Sequence, residues 1–219
     1  MPPKFSKSTD YWHVPADIET EVLDAYADVL DATGSPDLVL ENIPDLLERL
    51  EVPHCYTRDV SECISWFYAT QHTSLARSSQ NWAVAEQLLR HLTISATVRG
   101  VFDVSDVVDI DKLVKFCNRL LKFRDHSSNI VQSWALFVEA SGTQPGTNPV
   151  EHSLTLHDLG KVKSSLQLDD IGDSILIDML GCGRSTVDGE LFNYKLASGG
   201  LEMGIKDFAE VLGLLGQYD

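Results

Sequence analysis

Apolar residues recur along this chain on one spacing, used four times: a start position followed by apolar residues two, five, eight and twelve positions later. The runs are Leu38, Leu40, Ile43, Leu46, Leu50; Val108, Ile110, Leu113, Phe116, Leu120; Leu154, Leu156, Leu159, Val162, Leu166; and Met203, Ile205, Phe208, Val211, Leu215. The first two positions of each run alternate as on a strand, so they share one face of a short extended stub. The last three are spaced by three and four and form one stripe of a helix. Each run therefore predicts a strand stub leading straight into an amphipathic helix. A helical pattern also precedes each run, over Ile18–Leu30, Val60–Thr70, Ile130–Val138 and Ile171–Leu180. Local signals agree with the helix starts. Thr155 stands three residues before Asp158, as an N-cap does before an acidic first turn, and Asn42 precedes Ile43 and Pro44, with Pro tolerated in an opening turn.

An internal repeat constrains the fold more than any single motif. Helix, loop, strand stub, helix is the plan of an EF-hand. Four such units predict an all-α, calmodulin- or centrin-like protein: two lobes of paired degenerate EF-hands joined through short strand stubs. Residues 1–13 read as a flexible lead, with Tyr11 and Trp12 as anchors at its end. The N-terminal lobe is expected over 14–125 and the C-terminal lobe over 126–219, with Arg124–Asn129 either marking the boundary or forming a turn within one compact whole. Val108 follows Leu38 by 70 positions, whereas Leu154 follows Val108 by 46 and Met203 follows Leu154 by 49. The excess is an insertion over 71–100. Within it Trp82, Ala85, Leu88, Leu89 and Leu92 fall at helical spacing and predict an extra helix on the first lobe, preceded by an exposed polar loop over His72–Asn81.

The loops do not carry calcium chemistry. An EF-hand loop needs oxygen ligands at its first, third and fifth positions, Gly at the sixth and a bidentate Glu at the twelfth. With each run's start at position eight, position twelve is Asn42, Lys112, Asp158 and Asp207, and none is Glu. Positions one, three and five read Asp31, Thr33, Ser35; Val101, Asp103, Ser105; Thr147, Pro149, Glu151; and Leu196, Ser198, Gly200, with at most one acid per loop. Position six is Pro36, Asp106, His152 and Leu201, never Gly. The last two loops, Ser141–Ser153 and Gly181–Gly200, also look stretched. No metal or other cofactor is expected.

Composition adds two bounds. With 43% hydrophobic and 23% charged residues, the chain can bury a full core, yet no apolar run reaches the ~18 residues of a membrane span. The opening MPPKFSKSTD does not read as a secretory signal. Cys55, Cys63, Cys117 and Cys182 are scattered without paired spacing and read as reduced thiols of an intracellular protein. The net charge of −16 opposes nucleic-acid binding, which relies on Lys and Arg neutralising phosphates, and favours encounter with a basic partner.

Catalytic chemistry is not readable. The seven histidines, His13, His54, His72, His91, His126, His152 and His157, never pair four apart. His54–Cys55 shows no activating partner. The GCGRS run at Gly181–Ser185 lacks the Lys-Ser/Thr of a phosphate loop. The chain is expected not to be an enzyme. What remains is an apolar groove of the kind that opens between paired hands. In the second lobe its candidates are Trp134, Phe137, Leu159, Val162, Leu166, Ile175, Met179, Phe208, Val211, Leu212 and Leu215. Trp134 and Phe208 lead them, because aromatic residues dominate binding hot spots.

The residues PADIETEVLDAYA at Pro15–Ala27, DVVDIDKLVKFCNRLL at Asp106–Leu121, LTLHDLGKV at Leu154–Val162 and KDFAEVLGLLG at Lys206–Gly216 carry a resemblance to the calmodulin and centrin superfamily. Within it the chain resembles the fungal centrin-like accessory proteins of nucleotide excision repair, the Rad thirty-three family. That resemblance implies a nuclear, non-catalytic repair subunit. Its partner would be a helical segment of a damage sensor of the xeroderma pigmentosum group C type, which it stabilises or positions, and later repair factors are further partners it implies. The alternative is a calcium-independent, calmodulin-like light chain for a cytoskeletal or motor helix.

Overall fold

The structure is a computed structural model that describes residues 10–72, 79–143, 146–168, 170–182, 193–196 and 201–218. Among these residues it is mostly helical, with nine α-helices and two short strand pairs. It divides into two compact units, which we take one at a time. The N-terminal unit comprises Trp12–Arg124 and Tyr194–Ala197; the C-terminal unit comprises Met1–Tyr11, Asp125–Asn193 and Ser198–Asp219.

The N-terminal unit begins with α1 (Ala16–Thr33), which ends where Gly34 turns left-handed at φ 64° and its N–H bonds the Leu30 carbonyl. A 3-10 turn, Leu40–Asn42, leads into α2 (Ile43–Arg49), with Pro44 in the opening turn. Next comes α3 (His54–Thr70), longer at its start than the apolar periodicity from Val60 alone predicts. The predicted extra helix is α4 (Gln80–Leu92), whose Ala85, Leu88, Leu89 and Leu92 are buried; the Ser79 hydroxyl accepts from the Trp82 N–H as its N-cap. The unit then forms a hairpin, β1 (Ala96–Val98) and β2 (Val101–Asp103), before α5 (Ile110–Asp125). Arg99 and Gly100 make its two-residue turn at φ 51° and 81°, the positive-φ pair that matches strand twist. At the hairpin's base the Ser95 hydroxyl donates to the Ser105 carbonyl and accepts the Ser105 N–H, both at 2.7 Å.

The C-terminal unit continues with α6 (Ser127–Ala140), which begins one residue, His126, after the end of α5 in the sequence. A 3-10 turn at Pro149–Glu151 precedes β3 (Leu154–Thr155) and α7 (Leu156–Ser165). The unit closes with α8 (Asp173–Cys182), β4 (Glu202–Met203) and α9 (Ile205–Leu214). Tyr11, in a 3-10 turn at Asp10–Trp12, is fully buried here. Its ring lies over Gly213, where a Cβ would meet it at 2.3 Å, and its hydroxyl donates to Glu210 Oε2 at 2.5 Å. The end of the predicted flexible lead is therefore packed.

The stubs pair in one register in both units. Val39, one residue after a run's start, faces Val107, one before the next start; likewise Thr155 faces Glu202. The pairing is antiparallel in each case. In the N-terminal unit Val108 is also bridged by Thr93, so the insertion supplies a third, outer segment. Parts of the predicted His72–Asn81, Ser141–Ser153 and Gly181–Gly200 loops, and of the GCGRS run, lie outside the described residues.

Candidate partner-binding surface

The position-twelve side chains show what these loops do. Asn42 Oδ1 accepts the Val39 N–H at 3.1 Å, Asp158 Oδ2 the Thr155 N–H at 3.0 Å, and Asp207 Oδ2 the Gly204 N–H at 2.8 Å. In three of four units this residue therefore closes its own helix start, three residues back, as an N3 side chain does in a capping box. Asp158 also accepts from the Thr155 hydroxyl at 2.8 Å. Partial burial alone would raise its pKa; the two bonds from Thr155, with Lys161 and His152 nearby, outweigh that and lower it. In the second run, the exception, the Lys112 ammonium donates to the Thr93 carbonyl at 2.6 Å. Among the described residues no group of three or more His, Cys, Asp or Glu side chains is arranged to hold a metal ion.

The candidate residues divide by burial. Trp134, Leu159 and Val162 are buried core. The Trp134 indole N–H donates to the Pro149 carbonyl at 2.8 Å, and its ring lies 5.3 Å from that of Phe208. Phe137, half-buried, meets Phe208 edge-on at 5.4 Å. Phe208, Val211 and Leu212 are also half-buried. Leu166, Ile175, Met179 and Leu215 are exposed, at 56%, 48%, 43% and 40%.

That exposure follows from the sequence of α8. Leu176 and Leu180, four apart, take the buried face, and Ile175, Ile177 and Met179 are left outward. Apolar residues spread over more than one face of a helix cannot all be buried within one small helical unit. Leu156, Leu168 and Leu136 add to the exposed apolar surface of the same unit. Between α7 and α8 lies an open cleft of about 770 Å³, lined by Leu156, His157, Gly160, Lys161, Ser164, Asp173 and Leu176. None of these seven was among the candidates; the outward face of α7 at Leu156, Gly160 and Ser164, each four apart, was the available signal.

The thiols of Cys55 and Cys117 are not activated. Burial pushes the Cys55 thiol up to about 11, the opposite of an activated nucleophile. Cys117, wholly buried, is pushed up as well. No helix of the described residues is long and apolar enough to cross a membrane.

Comparison with known proteins gives one family match. The model of the Rad33 family matches residues 8–171, all of α1 to α7 and well over half of the chain; the match stops just short of α8. No curated protein and no solved structure matches the chain.

Proposed function

The chain belongs to the Rad33 family, which is consistent with a role in nucleotide excision repair, and from that premise we propose that it is a non-catalytic repair subunit holding a helix of another protein on its C-terminal unit. The observation that carries the reading is the exposed apolar set Leu166, Ile175, Met179 and Leu215, gathered on one unit of a strongly acidic chain. An apolar face on a protein of net charge −16 suits a basic amphipathic helix, whose apolar side fills the face and whose charge speeds encounter. The partner is a helical segment of a damage sensor of the xeroderma pigmentosum group C type, and the setting is the nucleus.

Each unit is a pair of EF-hand-like, centrin-like motifs that work without calcium. The shared stub register and the position-twelve contacts support this reading: strand stubs pair in each unit, and three of the four position-twelve side chains are spent on helix starts while Lys112 donates to a carbonyl. Binding then draws its free energy from burial. Each exposed side chain of this set contributes about 1 kcal/mol when covered, at ~25 cal/mol per Å².

The test is calorimetric titration of the chain with a synthetic helix from the C-terminal region of the damage sensor, with and without a calcium chelator. One-to-one binding, indifferent to chelator and weakened at least about thirtyfold by combined Leu166→Ser and Met179→Ser, is the expected result. No binding, or binding that the double substitution leaves intact while helical content is unchanged, overturns the proposal.

A further inference from the structure

One element of the N-terminal unit is not part of its contiguous sequence. Tyr194 lies far beyond Arg124, yet it belongs to this unit and is fully buried in it. Its hydroxyl is 2.8 Å from His91 Nδ1 on α4, and the two rings meet at a steep angle. Its backbone N–H donates to Asp59 Oδ2 on α3 at 2.8 Å. On α5 the ring of Phe116 lies 6.2 Å away. Three helices thus each contribute one side chain to the seat of a single tyrosine.

The way this residue is held differs from ordinary core packing. Asn193–Leu196 has no secondary structure of its own, and its amide is taken by a side-chain carboxylate rather than by a strand or helix. A carboxylate on a main-chain N–H, a polar partner for the hydroxyl and aromatic walls for the ring are the contacts by which proteins hold extended peptides.

We infer that the N-terminal unit carries a docking pocket for a tyrosine-bearing extended peptide, formed by Asp59, His91 and Phe116 and filled in the resting chain by its own Tyr194. A segment held in cis competes through its high effective concentration, so an outside peptide enters only when the internal tyrosine is removed or displaced. This inference does not rest on the helix-binding surface, since the pocket belongs wholly to the N-terminal unit.

The experiment uses the full chain and a peptide of residues 193–196, acetylated and amidated, followed by NMR of the His91 and Phe116 rings. The peptide should bind Tyr194→Ala at least about tenfold more tightly than the unsubstituted chain. The same peptide with alanine for tyrosine should shift neither ring. Tyr194→Phe keeps the ring but loses the contact with His91 Nδ1, and should admit the peptide to an intermediate degree. Equal affinity for all three chains overturns the inference. So does the absence of ring shifts in a Tyr194→Ala chain of unchanged helical content. If Tyr194→Ala loses its helical signal, Tyr194→Phe decides: competition by the peptide upholds the pocket, and none overturns it.

Discussion

Leu50 and Leu215 hold one structural position in two different units. Each lies twelve residues after the start of its apolar run and caps the C-terminus of the helix that the run builds, α2 or α9. Leu50 is 2% exposed and Leu215 is 40% exposed. The other two units repeat the contrast: Leu120, on α5, is wholly buried, and Leu166, at the end of α7, is 56% exposed. The difference lies in what covers the helix ends. In the N-terminal unit the helices α1, α3 and α5 run 18, 17 and 16 residues, and α4 is added. Arg124, at the end of α5, donates to the Leu50 carbonyl at 2.9 Å while its guanidinium also pairs with Glu21 of α1, closing the end of α2. In the C-terminal unit α7, α8 and α9 have 10 residues each. The same local pattern thus builds a finished core in one unit and a core with an uncovered end in the other.

Substitutions along the repeat break or sharpen this contrast. The largest effects belong to deeply buried side chains. Trp134→Ala should cost about 3–5 kcal/mol of stability, and Leu50→Ala about 2–5 kcal/mol, measured by urea denaturation. Leu166→Ala, at the position equivalent to Leu50, should cost less than about 0.5 kcal/mol. Equal losses at Leu50 and Leu166 would erase the distinction between the units.

A smaller effect is expected where the C-terminal unit is tightly closed. Gly213→Ala places a methyl group against the Tyr11 ring and should cost about 1–3 kcal/mol through overpacking. Combining it with Tyr11→Ala, which vacates that space, should make the two changes non-additive in a double-mutant cycle. Additive losses would place the cost of the methyl elsewhere on α9.

The smallest concerns the cap of α7. Thr155→Ala removes the hydroxyl that bonds Asp158 and should cost about 1 kcal/mol at neutral pH. Because the folded-state pKa of Asp158 is lowered, its contribution is present above the usual carboxylate range and fades as pH falls through the folded value. The stability difference between Thr155→Ala and the unsubstituted chain should therefore shrink on acidification below about pH 4. A difference independent of pH down to 2 would separate Asp158 from the cap.

Much of this was legible in the sequence. The start, fifth and eighth positions of the runs mark buried or half-buried side chains in every unit, because they depend only on local periodicity. The Thr155–Asp158 cap and the helix at Trp82–Leu92 were readable for the same reason. The fate of the twelfth position was not, since it depends on the lengths of neighbouring helices and on a contact such as Arg124 with Leu50, seventy-four residues apart. The β1–β2 hairpin had a weak signal in Arg99–Gly100 between Val98 and Val101. Tyr194 had none: a lone aromatic in a loop carries no period, and only the fold brings it to Asp59, His91 and Phe116. Trp134, chosen for its aromatic character, is placed by the fold in the core with its N–H satisfied, whereas Leu166, Ile175, Met179 and Leu215 are the members of that set that face outward.

The central claim is that a partner helix covers the exposed helix ends of the C-terminal unit, whereas the matching ends at Leu50 and Leu120 of the N-terminal unit are already buried. Methyl-resolved NMR of the full chain, titrated with the damage-sensor helix, addresses it directly. Shifts at Leu166, Ile175, Met179 and Leu215, with Leu46, Leu50, Leu113 and Leu120 unmoved, are the expected result. Shifts confined to the N-terminal unit, or saturating binding that leaves all four exposed side chains unchanged, would contradict it.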